Sequence, residues 1–185
     1  MSDNEKQLAH KRIDVERHIK AGIALHEQGK FDAARNSYRT ALRIDRDDPD
    51  TLHLLGVVEN HLGNSKKAKT MIDKSLYIRP WFAPGFESLA KVYIAQEKYT
   101  DAIEAGQRAL SLNSNLLSAL MPIAEAQFAL GNPKDAMETY KLRDAAKPND
   151  PITLNNISVC LIELGYLEEA CKLRYRAFEL EPDNY

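Results

Sequence analysis

A fixed period of 34 residues constrains this chain more than any other feature, because self-similarity at that length marks stacked supersecondary units. Small residues return at Gly22, Gly56, Ala90, Ala124 and Ser158, and a second series runs Ala34, Ala68, Ala102, Ala136 and Ala170, with no insertion or deletion between copies. A third reads Ala41, Ser75, Ala109, Arg143 and Ala177. Small side chains at constant offsets let two helices bring their backbones close in every copy. Bulky residues stand four positions ahead of the first series, at His18, Leu52, Phe86, Leu120 and Leu154, and fill the space the small ones leave.

Punctuation follows the same register. Gly29, Gly63, Gly131 and Gly165 fall where a residue at positive φ ends one helix at little cost, with Glu97 as the exception. Pro49, Pro80, Pro148, Pro151 and Pro182 sit where helices begin or end, since proline lacks the amide that an interior turn requires. Asn64 and Asn132 are expected to cap second helices. The resulting frame has units at 15–48, 49–82, 83–116, 117–150 and 151–184, each a helix, a turn and a second helix. Polar residues 1–14 are expected to extend and cap the first helix.

This pattern resembles the tetratricopeptide repeat. The family's characteristic offsets appear as Leu52-x2-Leu55-Gly56 and Ala34-x3-Tyr38, completed by Pro80, Pro148 and Pro182, and the resemblance covers residues 15–184. It implies an all-α fold, a right-handed α-solenoid of stacked antiparallel helix pairs. Four departures carry local expectations. Gly106 replaces a large residue and leaves space for Trp81 or Phe82 to fill, and Pro122 predicts a late start or a kink in its helix. Arg143 at a small position and Arg174 at a bulky one predict looser packing in the last two units.

Charge and composition narrow the partners. Twenty-five basic residues against 27 acidic ones leave a net charge of −2, with no excess to neutralise phosphates or anionic lipid, so neither nucleic acid nor membrane is an expected partner. Residues 1–14 lack the apolar core of a signal peptide, and no stretch approaches the roughly 18 apolar residues of a membrane helix, which predicts a cytoplasmic protein. Without a glycine-rich phosphate loop, a nucleophile elbow or an HExxH, no catalytic residue and no cofactor is expected, and the chain reads as a non-enzyme. His26 and His61, flanked by Glu27, are expected side by side; two histidines and one carboxylate on a solvated edge read as solvated side chains rather than a metal site. Cys160 and Cys171 lack metal-ligand spacing and read as small core residues.

The resemblance also implies where a partner sits. In such arrays the first helices line a concave face, and the offsets that face it select Ile19, Ile23, Leu54, Val57, Ile94, Met121, Phe128, Ile152, Asn156 and Val159 as the partner-binding groove, apolar at its centre. The expected ligand is a protein or peptide, an amphipathic helix or an extended apolar segment, with each buried anchor contributing at most roughly 1.5–3 kcal/mol. A carboxylate clamp for acidic chaperone tails is not expected, because its positions carry Ile19, Ile23, Leu54, Pro84 and Ser88. An asparagine ladder is not expected either, since that column reads Lys20, Leu54, Ser88, Pro122 and Asn156.

The last helix, around 167–180, is expected to expose part of a face bearing Leu173, Ala177 and Phe178, so that the sequence reads as a fragment of a longer protein or as a chain that forms a homodimer through that helix. Two functions follow. One is a protein-protein interaction scaffold or adaptor; the other is the substrate-recruiting arm of a larger enzyme such as a glycosyltransferase, since the run Leu52-His53-Leu54-Leu55-Gly56-Val57 is similar to repeats of bacterial O-GlcNAc-transferase-like proteins.

Overall fold

A computed structural model of the chain describes residues 3–181; the expectations for Met1, Ser2, Pro182 and the last residues of the fifth unit lie outside them. Among the described residues the fold is all-α, with ten α-helices and no strand: α1 (Asp3–Glu27), α2 (Phe31–Ile44), α3 (Pro49–His61), α4 (Ser65–Ile78), α5 (Ala83–Ala95), α6 (Tyr99–Leu112), α7 (Leu120–Ala129), α8 (Pro133–Ala146), α9 (Pro151–Glu163) and α10 (Leu167–Leu180). They pack as hairpins, α1 with α2 through α9 with α10, and each second helix also rests on the first helix of the next pair. The result is an α-solenoid.

The turns inside the hairpins form as the glycines predict. Gly29, Gly63, Gly131 and Gly165 have φ between 70° and 84°, and Glu97 takes the same left-handed place at 58°, a conformation that disfavours a side chain. Between hairpins a different device appears twice. The Asp48 carboxylate accepts from the Thr51 amide at 2.7 Å and from its hydroxyl at 2.5 Å, and Asp150 accepts from the Thr153 amide at 3.0 Å, each just ahead of a proline in the first turn of α3 or α9. Asn64 and Asn132 precede α4 and α8 but their side chains make no capping bond; Asn64 turns instead to the buried carboxylate of Glu59, 2.8 Å away. A buried carboxylate attracts the amide N–H more strongly than a helix-end N–H attracts the amide oxygen.

Small residues make the core possible. Ala34, Ala68, Ala102, Ala136 and Ala170 are all essentially inaccessible, and Gly22 and Gly56 leave room for large side chains of the paired helix. A Cβ added at Gly22 would lie 2.4 Å from the Tyr38 ring, and one at Gly56 would lie 2.6 Å from Ile72. Gly106 works the same way, but the expectation that Trp81 or Phe82 fills its space is wrong. Ile123 of α7 does so, with its Cγ1 2.4 Å from where that Cβ would stand, while Trp81 is 72% exposed. The β-branched residue arrives from the next hairpin, against which α6 is packed, whereas the Trp81 loop lies one hairpin behind.

Pro122 has the predicted effect. A 3-10 turn at Leu117–Ala119 precedes α7, which has 10 residues where α3, α5 and α9 have 13. Pro122 becomes the third residue of the helix, where a missing amide leaves no bond unmade. Arg143 finds a partner outside its own hairpin. Its guanidinium reaches across to the next hairpin, 2.5 Å from Asp150 and in contact with the Thr153 hydroxyl, so it braces the capped start of α9. Arg174 is exposed. Of the cysteines, Cys160 is a core residue and Cys171 is exposed.

Candidate functional site

Two rows of helices run along the array. First helices touch one another directly, α3 against α5 and α5 against α7, while second helices span between the first helices on either side. A row whose members stand closer together forms the inside of a bend, so the first helices line the concave face. On that face none of the ten groove residues is buried. Ile23 and Ile152 are exposed, at 37% and 62%, and Ile19, Leu54, Val57, Ile94, Met121, Phe128, Asn156 and Val159 are half-buried. Leu54 leans on the cluster around Tyr38 and Val58, and Met121 and Phe128 lean on the cluster around Tyr140 and Ile157. These three are therefore partly spent on the fold, whereas Ile23 and Ile152 are the freest apolar positions.

The centre of the face is not apolar, contrary to the expectation. His53 Nε2 lies 2.8 Å from Ser88 Oγ, Ser118 donates to Glu87 at 2.9 Å, and Lys91 reaches the other oxygen of Glu87 at 2.6 Å, so a polar chain ties α3, α5 and the start of the fourth hairpin together. Burial, with the Arg79 charge adding to it, holds His53 down to about 4, so the ring is neutral at pH 7. Arg79 itself pairs with Asp50 at 2.6 Å and stacks over Phe82, whose ring meets His53 edge-on. Sequence reasoning missed this chain of contacts. Its signal was available in the separations of 35 residues for His53 to Ser88 and 31 for Glu87 to Ser118, each close to one period.

Apolar groove residues divide accordingly into two patches. At the first, His26, His61 and Phe31 form an aromatic cluster, with Phe31 stacked on His61 at 4.8 Å and the two histidine rings edge to face at 5.2 Å. Burial first, and the nearby His61 second, lower the His26 pKa. The histidines are side by side as expected but turned onto a phenylalanine, and among the described residues no group of three or more His, Cys, Asp or Glu is placed to share a metal.

At the second patch the groove deepens. Between α7 and α9 a cavity of about 350 Å³ reaches α8, lined by Glu125, Phe128, Tyr140, Asn156, Val159 and Cys160. Three of the predicted groove residues, Phe128, Asn156 and Val159, meet here. Tyr140 was not among the predicted groove positions. Burial raises the pKa of the Glu125 carboxyl, of the Tyr140 phenol and of the Cys160 thiol, the last to about 11. On the last helix, Ala177 is fully buried and Leu173 packs on the adjoining core, so of the three residues expected to be bare only Phe178 is exposed. No helix among the described residues is long and apolar enough to cross a membrane.

Comparison with known proteins agrees with this architecture. Residues 22–59 match the family described as TPR repeat and residues 93–154 the one described as Tetratricopeptide repeat. Cellulose synthase 1 operon protein C of Komagataeibacter xylinus is 25% identical over 84% of this chain, and the chain spans 13% of that relative's length. Among solved structures, a thermophilic TPR protein of Thermus thermophilus superimposes with a TM-score of 0.82 at 20% identity, covering 91% of this chain and 92% of that one. MamA matches with a TM-score of 0.72 at 24% identity over 88% and 95% of the two chains. YrrB, described as a TPR protein with an unusual peptide-binding site, matches with a TM-score of 0.68 at 21% identity over 98% and 94%. At these identities the likeness shows the fold.

Proposed function

This chain belongs to the tetratricopeptide repeat family, and we propose that it is an interaction scaffold holding a peptide or a helix of a partner protein along its concave face. The fold is that of protein-interaction scaffolds, and the finer reading rests on one observation. Apolar side chains on the first helices stay open to solvent, while their neighbours one or two positions along the same helices are fully buried. Leu55 and Val58 are 5% and 0% exposed, yet Leu54 and Val57 beside them are only half-buried. Covering such a row from outside is the way to remove it from water. The peptide-binding site ascribed to YrrB supports a ligand of the same kind here.

Site-specific photocrosslinking tests the reading. A photoreactive phenylalanine at Ile23 or Ile152 is expected to capture a partner peptide that the same group at Tyr77, on a second helix and 90% exposed, does not. Capture only from Tyr77 overturns it. A second copy of the chain is an alternative occupant of α10, whose outer side exposes Leu167, Tyr175 and Phe178. Sedimentation velocity that shows a dimer dispersed by Tyr175→Asp supports that contact, and a monomer at all concentrations removes it.

A further inference from the structure

The cavity between α7 and α9 has walls of two kinds. Phe128 and Val159 offer apolar surface, and Glu125 and Asn156 set a carboxylate and an amide on the same cavity, with the phenol of Tyr140 reaching it from α8. Glu59, Glu87 and Asp150 each face a basic side chain. Glu125 has no ion pair or hydrogen-bond partner among the described residues, and burial alone, with no cation to offset it, accounts for its raised pKa. An apolar guest would strip water from this carboxylate and return nothing, and an anion would be repelled. A long alkyl stem ending in a positive charge satisfies both kinds of wall. Its methylenes lie along Phe128 and Val159, its head reaches Glu125 and the Asn156 amide oxygen, and the Phe128 ring adds a π face. At about 350 Å³ the cavity is at the lower end of ligand pockets, a size for one side chain rather than a whole cofactor.

We propose that this cavity is an anchor pocket for a basic side chain, lysine or arginine, carried by the peptide that the groove holds. The inference rests on the groove reading and gives it a chemical specificity: a polypeptide that carries a lysine or arginine where it crosses from α7 to α9. The bond formed is a charge-assisted one to a carboxylate partly open to solvent, worth roughly tenfold in affinity over an uncharged stem of equal length.

Pools of short peptides with randomised flanks and one fixed central residue (lysine, arginine, norleucine or aspartate) test it, incubated with the intact chain and with its Glu125→Gln and Ile152→Asp variants. Retention of either basic pool roughly tenfold above norleucine by the native chain, with that ratio falling to about one in Glu125→Gln, supports the pocket. Equal retention of lysine, arginine and norleucine overturns it, as does a basic preference that survives Glu125→Gln. If no pool is retained, or Ile152→Asp leaves the retention of every pool as it was, the groove reading fails and takes the pocket with it. Circular dichroism of both variants confirms that each remains helical, as substitution at these exposed positions should allow.

Discussion

Tyr38 and Tyr140 hold the same place in the first and fourth hairpins, four residues after Ala34 and Ala136, yet one closes the interior and the other leaves it open. Tyr38 is inaccessible, its ring pressed onto Gly22 and its hydroxyl buried without a partner; burial pushes its pKa up to about 12. Ala124 stands at the position equivalent to Gly22, and the Tyr140 ring, buried in the same core cluster, also lines a cavity. The two hairpins also differ in backbone, since α7 starts late behind a 3-10 turn and has 10 residues. Gly22 and Ala124 differ by one methyl, and Tyr38 packs onto the first while Tyr140 borders a cavity on the side of the second.

Truncating the two rings should break the symmetry most. Tyr38→Ala is expected to cost about 3–5 kcal/mol in urea unfolding, and Tyr140→Ala less, because its ring already borders empty space. Equal losses would remove the comparison. Gly22→Ala forces a methyl against the Tyr38 ring and is expected to cost about 1–3 kcal/mol, read as a lower midpoint of thermal unfolding.

Acid should act with opposite sign on the second hairpin, which carries His53, and on the fourth. His53 is lowered to about 4 from an unfolded value of 6.5, so between those values the unfolded chain binds more protons and the stability of α3 and α5 falls as the pH drops. From pH 7 to pH 5 the loss is about 2 kcal/mol. Glu125 is raised above its unfolded value of 4.5, so the folded state binds more protons there and the surroundings of α7 gain stability in acid. Native-state hydrogen exchange at pH 7 and pH 5 separates the two; a uniform change along the chain would contradict the assignment, and His53→Gln should flatten the loss.

Ala124→Gly should cost about 1 kcal/mol through helix propensity while letting Tyr140 settle against α7, so that a crystal structure of the variant shows the cavity reduced. The smallest effect is expected of Tyr38→Phe, within about 0.5 kcal/mol of zero and on the stabilising side, since it removes a buried hydroxyl that bonds to nothing. A large loss would mean that the hydroxyl has a partner.

What could be read from the residues in advance was what the backbone demands locally. Gly29 and its equivalents, the small stripe at Ala34, and the delayed start at Pro122 all follow from conformational limits that act within a few residues. Fillers and braces were harder. Ile123 beneath Gly106, Arg143 across to Asp150 and His53 beside Ser88 depend on which side chain of a neighbouring hairpin reaches a given spot, which the period narrows but does not choose. The caps at Asp48 and Asp150 were legible in retrospect, as an aspartate, a proline and a threonine in the same order twice. The cavity was not, because its walls come from three helices, Glu125 and Phe128 of α7, Tyr140 of α8 and Asn156, Val159 and Cys160 of α9, and the pattern along any one helix does not show how the three meet.

Among the described residues, each hairpin packs chiefly against the ones beside it in the chain. Tension applied at the two ends therefore meets no strand clamp or distant crosslink, and the coil stretches like a spring before it gives way one turn at a time. A passenger lying across α7 and α9 would staple two such turns and raise the load at which they part, so occupancy of the groove becomes readable as stiffness.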